Sequence, residues 1–87
     1  MSMKLKSKFS SAVLNARTEL GYTQDQVAEA VSISTRWYQR VESGAKFPSG
    51  TTLLRLAIFL KIDIEQFREE VDLVDPVPAV RRKYVYR

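Results

Sequence analysis

The chain has 87 residues, a net charge of +4, and neither cysteine nor histidine. That length suits one small domain with a single core. The missing thiol and imidazole together exclude a disulfide framework, zinc-finger spacing and a Cys or His nucleophile or base. No apolar run approaches the roughly 18 residues of a membrane span, and the basic start MSMKLKSK is not followed by a signal-peptide hydrophobic segment. The expected location is the cytoplasm, with no membrane contact.

Charge is unevenly spread. Residues 1–62 carry nine basic and four acidic side chains, residues 63–75 one basic and six acidic, and residues 76–87 four basic and none acidic. Either the acidic block is held away from a polyanion that the rest faces, or it is an ordinary solvated helix face.

In chain order, residues 1–8 alternate Lys with apolar or small residues and show no packing partner, which predicts a flexible basic arm. Lys4, Lys6 and Lys8 are either solubilising or near phosphates. Ser10 or Ser11 is placed to cap a first helix with Val13, Ala16 and Leu20 at i, i+3 and i+7. Gly21 provides its left-handed stop, and Tyr22 returns the chain to the core. Thr23 and Gln26 have the form of a capping box opening a second helix with Val27, Ala28 and Val31 inward. Ser32 and Ile33 interrupt that pattern. Ser34 then caps a third helix with Tyr38 and Val41 inward, and Gly44 ends it. Two short helices joined by about three residues describe a helix-turn-helix, whose second helix suits a DNA major groove about 12 Å wide.

The loop at 45–50, AKFPSG, separates this pair from a fourth helix starting at Ser49 or Thr51. Leu53, Leu56, Ala57 and Leu60 form its stripe, which Ile58 and Phe59 widen, so the helix is expected to be largely buried. Asp63 caps a short fifth helix with Ile64, Phe67 and Val71 inward and Glu65, Glu69 and Glu70 outward, and Pro76 and Pro78 end it. The expected organisation is an arm at 1–8, a helix-turn-helix domain at 9–72, and a basic, aromatic tail at 73–87 that alternates like an extended strand.

Several blocks in fixed order carry a family resemblance: Arg17, LGYTQ at 20–24, VAEAV at 27–31, Ile33-Ser34, RVESG at 40–44, Pro48-Ser49, TLLRLA at 52–57, and Asp63-Ile64 with Phe67. They resemble the Cro/C1-type (Xre-like) helix-turn-helix regulators over about two thirds of the chain. The resemblance implies an all-α, compact five-helix lambda-repressor-like DNA-binding domain, with helices 2 and 3 as the helix-turn-helix and an extended C-terminal tail. Ser32 and Lys61 stand where relatives often have glycine.

The resemblance also implies roles. Gln24 matches the family's phosphate-binding glutamine, with Thr23 either assisting or only capping. Thr35, Arg36 and Arg40 match base-reading positions, with Gln39 close enough to contribute. Arginine in that setting pairs with guanine O6 and N7. Arg17 and Glu42 match a structural ion pair between the first and third helices. Ser43, Lys46 and Ser49 are placed for DNA-backbone contacts. Trp37 either joins them against the backbone or a thymine methyl, or folds over the second helix as an apolar cover.

The implied function is a sequence-specific DNA-binding regulator, a repressor that binds double-stranded DNA as a homodimer and needs no metal or cofactor. The dimer contact would come from the outer face of the fifth helix with Phe59, or from Val80, Tyr84, Val85 and Tyr86 in the tail. The alternative is an antitoxin or other protein-interaction module that engages a protein partner through the tail. An enzyme is not expected, because no loop gathers carboxylates, Ser or Lys in a catalytic spacing.

Overall fold

The computed structural model describes residues 3–71, which form four α-helices and a closing 3-10 turn. The tail at 73–87 lies outside the described residues. Helix α1 spans Met3–Leu20, α2 Gln24–Ala30, α3 Thr35–Glu42 and α4 Gly50–Phe59. α2 and α3 pack on each other, α1 lies against α3, and α4 covers α2.

Helix α1 starts well before Ser10, which corrects the expectation of a flexible arm at 1–8. Nothing in MKLKSKFSS breaks a helix, and Met, Leu and Lys favour one. Leu5, Phe9 and Val13 continue one apolar stripe at i, i+4 and i+8. Phe9 and Val13 are fully buried. The Phe9 ring meets Phe47 and Phe67 at centroid distances of 5.2 and 5.7 Å. Lys8 ties this first half of α1 to the closing turn and the residues just after it. Its Nζ donates to the Gln66 carbonyl at 2.6 Å and to Glu70 Oε1 at 3.0 Å.

The expected fifth α-helix is instead a single 3-10 turn, Ile64–Phe67, with the Asp63 carboxylate accepting from the Glu65 amide. Glu65 and Glu69, four apart, would repel on the surface of a longer helix. Of the three residues expected inward only Phe67 is buried, while Ile64 and Val71 remain 56% and 44% exposed. On α4, Leu56 and Ala57 are buried, as is Leu60 just beyond it, and Phe59 stacks on Tyr22 at 4.8 Å. Ile58 faces outward, so the buried stripe is narrower than its sequence suggests.

All four α-helices end in the same way. Tyr22, Ile33, Ala45 and Ile62 each donate an amide to a carbonyl five residues back, and the residue before each donates three residues back. These are Schellman closures, which require a left-handed residue just past the helix. Gly21 and Gly44 supply it at φ of 79° and 86°, whereas Ser32 and Lys61 adopt it at 62° and 57° despite their Cβ. Tyr22, Ile33 and Ile62 then pack against the core.

Two stability measurements check this account. Ser32→Gly is expected to raise unfolding free energy by about 1 kcal/mol, by relieving the left-handed penalty. Phe9→Ala is expected to lower it by about 3 kcal/mol. A helix that began only at Ser10 or Ser11, with Phe9 outside it, would make the second change nearly silent in a urea titration.

Candidate nucleic-acid interface

Helices α2 and α3 meet through Val27, Ala28, Val31, Tyr38 and Val41, all buried. The start of α2 is held by a reciprocal capping box. Thr23 Oγ1 accepts from the Gln26 amide at 3.1 Å, and Gln26 Oε1 accepts from the Thr23 amide at 2.8 Å. The start of α3 is held by Ser34, whose hydroxyl accepts from the Trp37 amide at 3.0 Å. Seven and eight residues are too few for either helix to persist alone, so this packing and capping maintain them.

Glu42, at the end of α3, turns its carboxylate inward and is only 7% exposed. Arg17 of α1 donates Nε to Oε2 at 2.7 Å and Nη2 to Oε1 at 3.0 Å, and donates Nη1 to the Tyr22 carbonyl. The Tyr38 hydroxyl donates to Oε2, and Gln24 Nε2 donates to Oε1 at 2.9 Å. Burial pushes the Glu42 carboxyl up, but the bonds from Arg17, Tyr38 and Gln24 outweigh it and hold the group below its usual range. Burial, reinforced by the bond to Glu42, raises the Tyr38 phenol. The bond to Glu42 raises Arg17 against a smaller opposing effect of burial.

The opposite side of α3 is polar. Arg36, Gln39, Arg40 and Ser43 line one shallow concavity. Arg36 and Arg40 are exposed, and neither pairs with a carboxylate among the described residues. Ser43 donates its hydroxyl to the Arg40 carbonyl at 3.1 Å. Thr35, half-buried at the start of α3, donates its hydroxyl to Asp25 of α2 at 2.7 Å. Gln39 Nε2 donates to Gln24 Oε1 at 3.1 Å, so Gln24 bridges the buried Glu42 and the exposed Gln39. Trp37 is 37% exposed, with Lys46 Nζ 5.9 Å from its ring centroid. Ser49 is the exposed first cap of α4 and makes no side-chain cap bond.

The structure thus aligns Arg36, Gln39, Arg40 and Ser43 along the outer face of α3, with Thr35 at its start and Gln24 of α2 bonded to Gln39 beside it. Lys46 and Trp37 form a second contact on the same helix's flank. A helix-turn-helix family model matches residues 13–67, more than half of the chain. The chain belongs to the Cro/C1-type helix-turn-helix family. Its members are DNA-binding regulators of transcription, which is the role the domain indicates here. No curated protein and no solved structure gives a significant match to this Cro/C1-type chain. No helix among the described residues is long and apolar enough to cross a membrane.

Two participants and one contact are not apparent from the sequence. Tyr38 reads as a plain core residue, although a buried tyrosine needs a partner for its hydroxyl and Glu42 lies one turn away on the same face. Asp25 carries no local signal at all, because its bond to Thr35 spans two helices. The Gln24–Gln39 bond likewise exists only once α2 and α3 have crossed.

The Glu42 cluster has a pH signature. Its folded pKa lies below the ordinary 4.5, so its contribution to stability is full above that value and is lost as pH falls through the lower folded one. The stability difference between the wild type and Glu42→Gln, measured by urea unfolding, should therefore be constant near neutrality and shrink below pH 4.5. A gap that stayed constant into acid would show that the carboxylate's ionisation contributes nothing.

Proposed function

We propose that the protein is a sequence-specific transcriptional repressor that lays α3 in the DNA major groove and acts as a dimer in the cytoplasm. The observation that carries this reading is the pair Arg36 and Arg40. They lie one turn apart on α3, both exposed and without a carboxylate partner among the described residues. The acid on the same helix, Glu42, is meanwhile consumed by internal donors. A helix that hides its carboxylate and leaves its arginines unpaired is electrostatically prepared for a polyanion. Thr35, Arg36, Gln39 and Arg40 read base edges. Thr23, Gln24, Trp37, Ser43, Lys46 and Ser49 line the backbone of the same duplex. Gln24 keeps one Nε2–H for a phosphate oxygen beyond the one given to Glu42.

A single domain of this size grips a short half-site, and a twofold dimer on a palindrome doubles it. Phe59 is engaged with Tyr22, which leaves Leu54 and Ile64, at 55% and 56% exposure, as apolar surface for association. The same surface favours the second reading, a module that binds another protein, such as an antitoxin. It continues into an apolar groove lined by Leu5, Phe9, Phe47, Leu53 and Phe67.

Selection from random duplex DNA separates the two. The repressor reading expects a palindrome with guanine in each arm, bound with a steep negative dependence of log affinity on log salt. Arg40→Ala should relax preference at one position per half-site, by about 1–3 kcal/mol. Lys46→Ala should weaken all sequences alike and reduce the salt slope by about 1. Failure to bind any duplex at low salt would favour the protein-partner reading.

A further inference from the structure

Away from the outer face of α3, a groove of about 340 Å³ lies between the first half of α1, the loop before α4, α4 itself and the closing turn. Its buried side is aromatic, with the Phe9 ring in contact with both Phe47 and Phe67. Its rim is formed by Leu54, Ile64 and Val71, which keep about half of their surface in solvent. Among the described residues no polar or charged side chain lines it. Apolar surface gathered in one concavity marks a binding site rather than an ordinary solvent boundary.

The chain itself delivers a fitting segment to this place. Val71, the last described residue, is one of the lining side chains, and Glu70 just before it is tied to Lys8 of α1. The chain therefore leaves the domain at the edge of the groove. The next ten residues, 72–81, read DLVDPVPAVR. Pro76 and Pro78 exclude a continuous α-helix and favour a polyproline II helix, which has three residues per turn. On that period Val74, Val77 and Val80 share one face, Leu73, Pro76 and Ala79 a second, and Asp72, Asp75, Pro78 and Arg81 the third. Two faces are apolar, and the third carries every charge. A polyproline II helix makes no internal backbone hydrogen bonds and keeps its backbone hydrated, so an open aromatic groove suits it.

We propose that residues 73–80 dock as a polyproline II segment in the apolar groove of their own chain, with Val74, Val77 and Val80 against the Phe9, Phe47 and Phe67 side and the acidic face toward solvent. The short tether holds the segment at an effective concentration of about millimolar or above, which favours it over free molecules of similar character. A partner protein, or a second protomer packing on Leu54 and Ile64, has to displace it. The segment is thus a built-in competitor for the apolar face, whatever α3 binds.

The test uses the full chain with Ile64→Cys as its single thiol, since the sequence has no cysteine. Ile64 is more than half exposed on the domain, so an open groove leaves this thiol as reactive toward a maleimide as it is in urea. Burial of two or three valines should instead slow labelling by about tenfold or more. Adding Val74→Asp and Val77→Asp places carboxylates where no polar group meets them. That variant should label fast, bind the apolar dye ANS several-fold more strongly and unfold at a lower urea concentration. Asp75→Asn, on the outward face, should change none of the three. Circular dichroism establishes that the domain stays helical in each variant, and the tail substitutions alter no residue of its core. Protection that is independent of protein concentration supports docking within one chain. Protection that grows with concentration would assign the segment to a second copy and overturn the proposal. So would labelling that is equally fast with the native tail and with the two aspartates.

Discussion

The Glu42 carboxylate is the constraint on which the rest of the domain depends. Moving a charge out of water is costly unless it is paired and its lone pairs are filled. Here the donors come from three elements, Arg17 on α1, Gln24 on α2 and Tyr38 on α3 itself. A buried ion pair is weak evidence for net stability, because an apolar replacement often does as well. Its distinct contribution is geometric. An apolar contact tolerates sliding, whereas four directed bonds to two oxygens do not. The roll of α3 about its own axis, and hence which residues face outward, follows from where that carboxylate must point.

Around that point the helices are short and their ends are therefore important. Each α-helix closes with a left-handed residue that sends the chain back over the core, and at three of the four ends an aromatic or aliphatic side chain follows directly into it. At Ser32 the closure also sets the angle between α2 and α3, because only Ile33 and Ser34 intervene before the next helix begins. The conformational penalty at Ser32 is thus carried at the hinge of the motif. The two bonds of the closure, from Ser32 to Glu29 and from Ile33 to Ala28, offset it locally.

The helix-turn-helix was legible because its signals are local: the capping box of Thr23 and Gln26, the Ser34 cap, and apolar spacing within one or two turns. The two misread segments failed for a shared physical reason. Neither the start of α1 nor the closing turn is decided by its own residues. Phe9 is core only because Phe47 and Phe67 arrive beside it, and the bond from Lys8 to the Gln66 carbonyl joins residues 58 apart in sequence. The candidate site divides along the same line. Arg36 and Arg40 are visible from helical spacing, while the bonds that orient Gln39 and Thr35 cross between helices and have no sequence periodicity.

Stability and recognition are consequently coupled in one part of this surface and separable in another. Arg36 and Arg40 reach outward from positions that make no contribution to the core, so their replacement leaves the scaffold intact. Gln24 belongs to both worlds. It donates inward to a group on which three helices converge and accepts from a residue exposed on α3, so a change there alters packing and surface polarity together. On the reading proposed above, variation in the DNA sequence bound by such a domain is expected to accumulate most readily at the arginine positions. The amide bridge is constrained from both sides, and changing what it presents outward requires a compensating change at the carboxylate within.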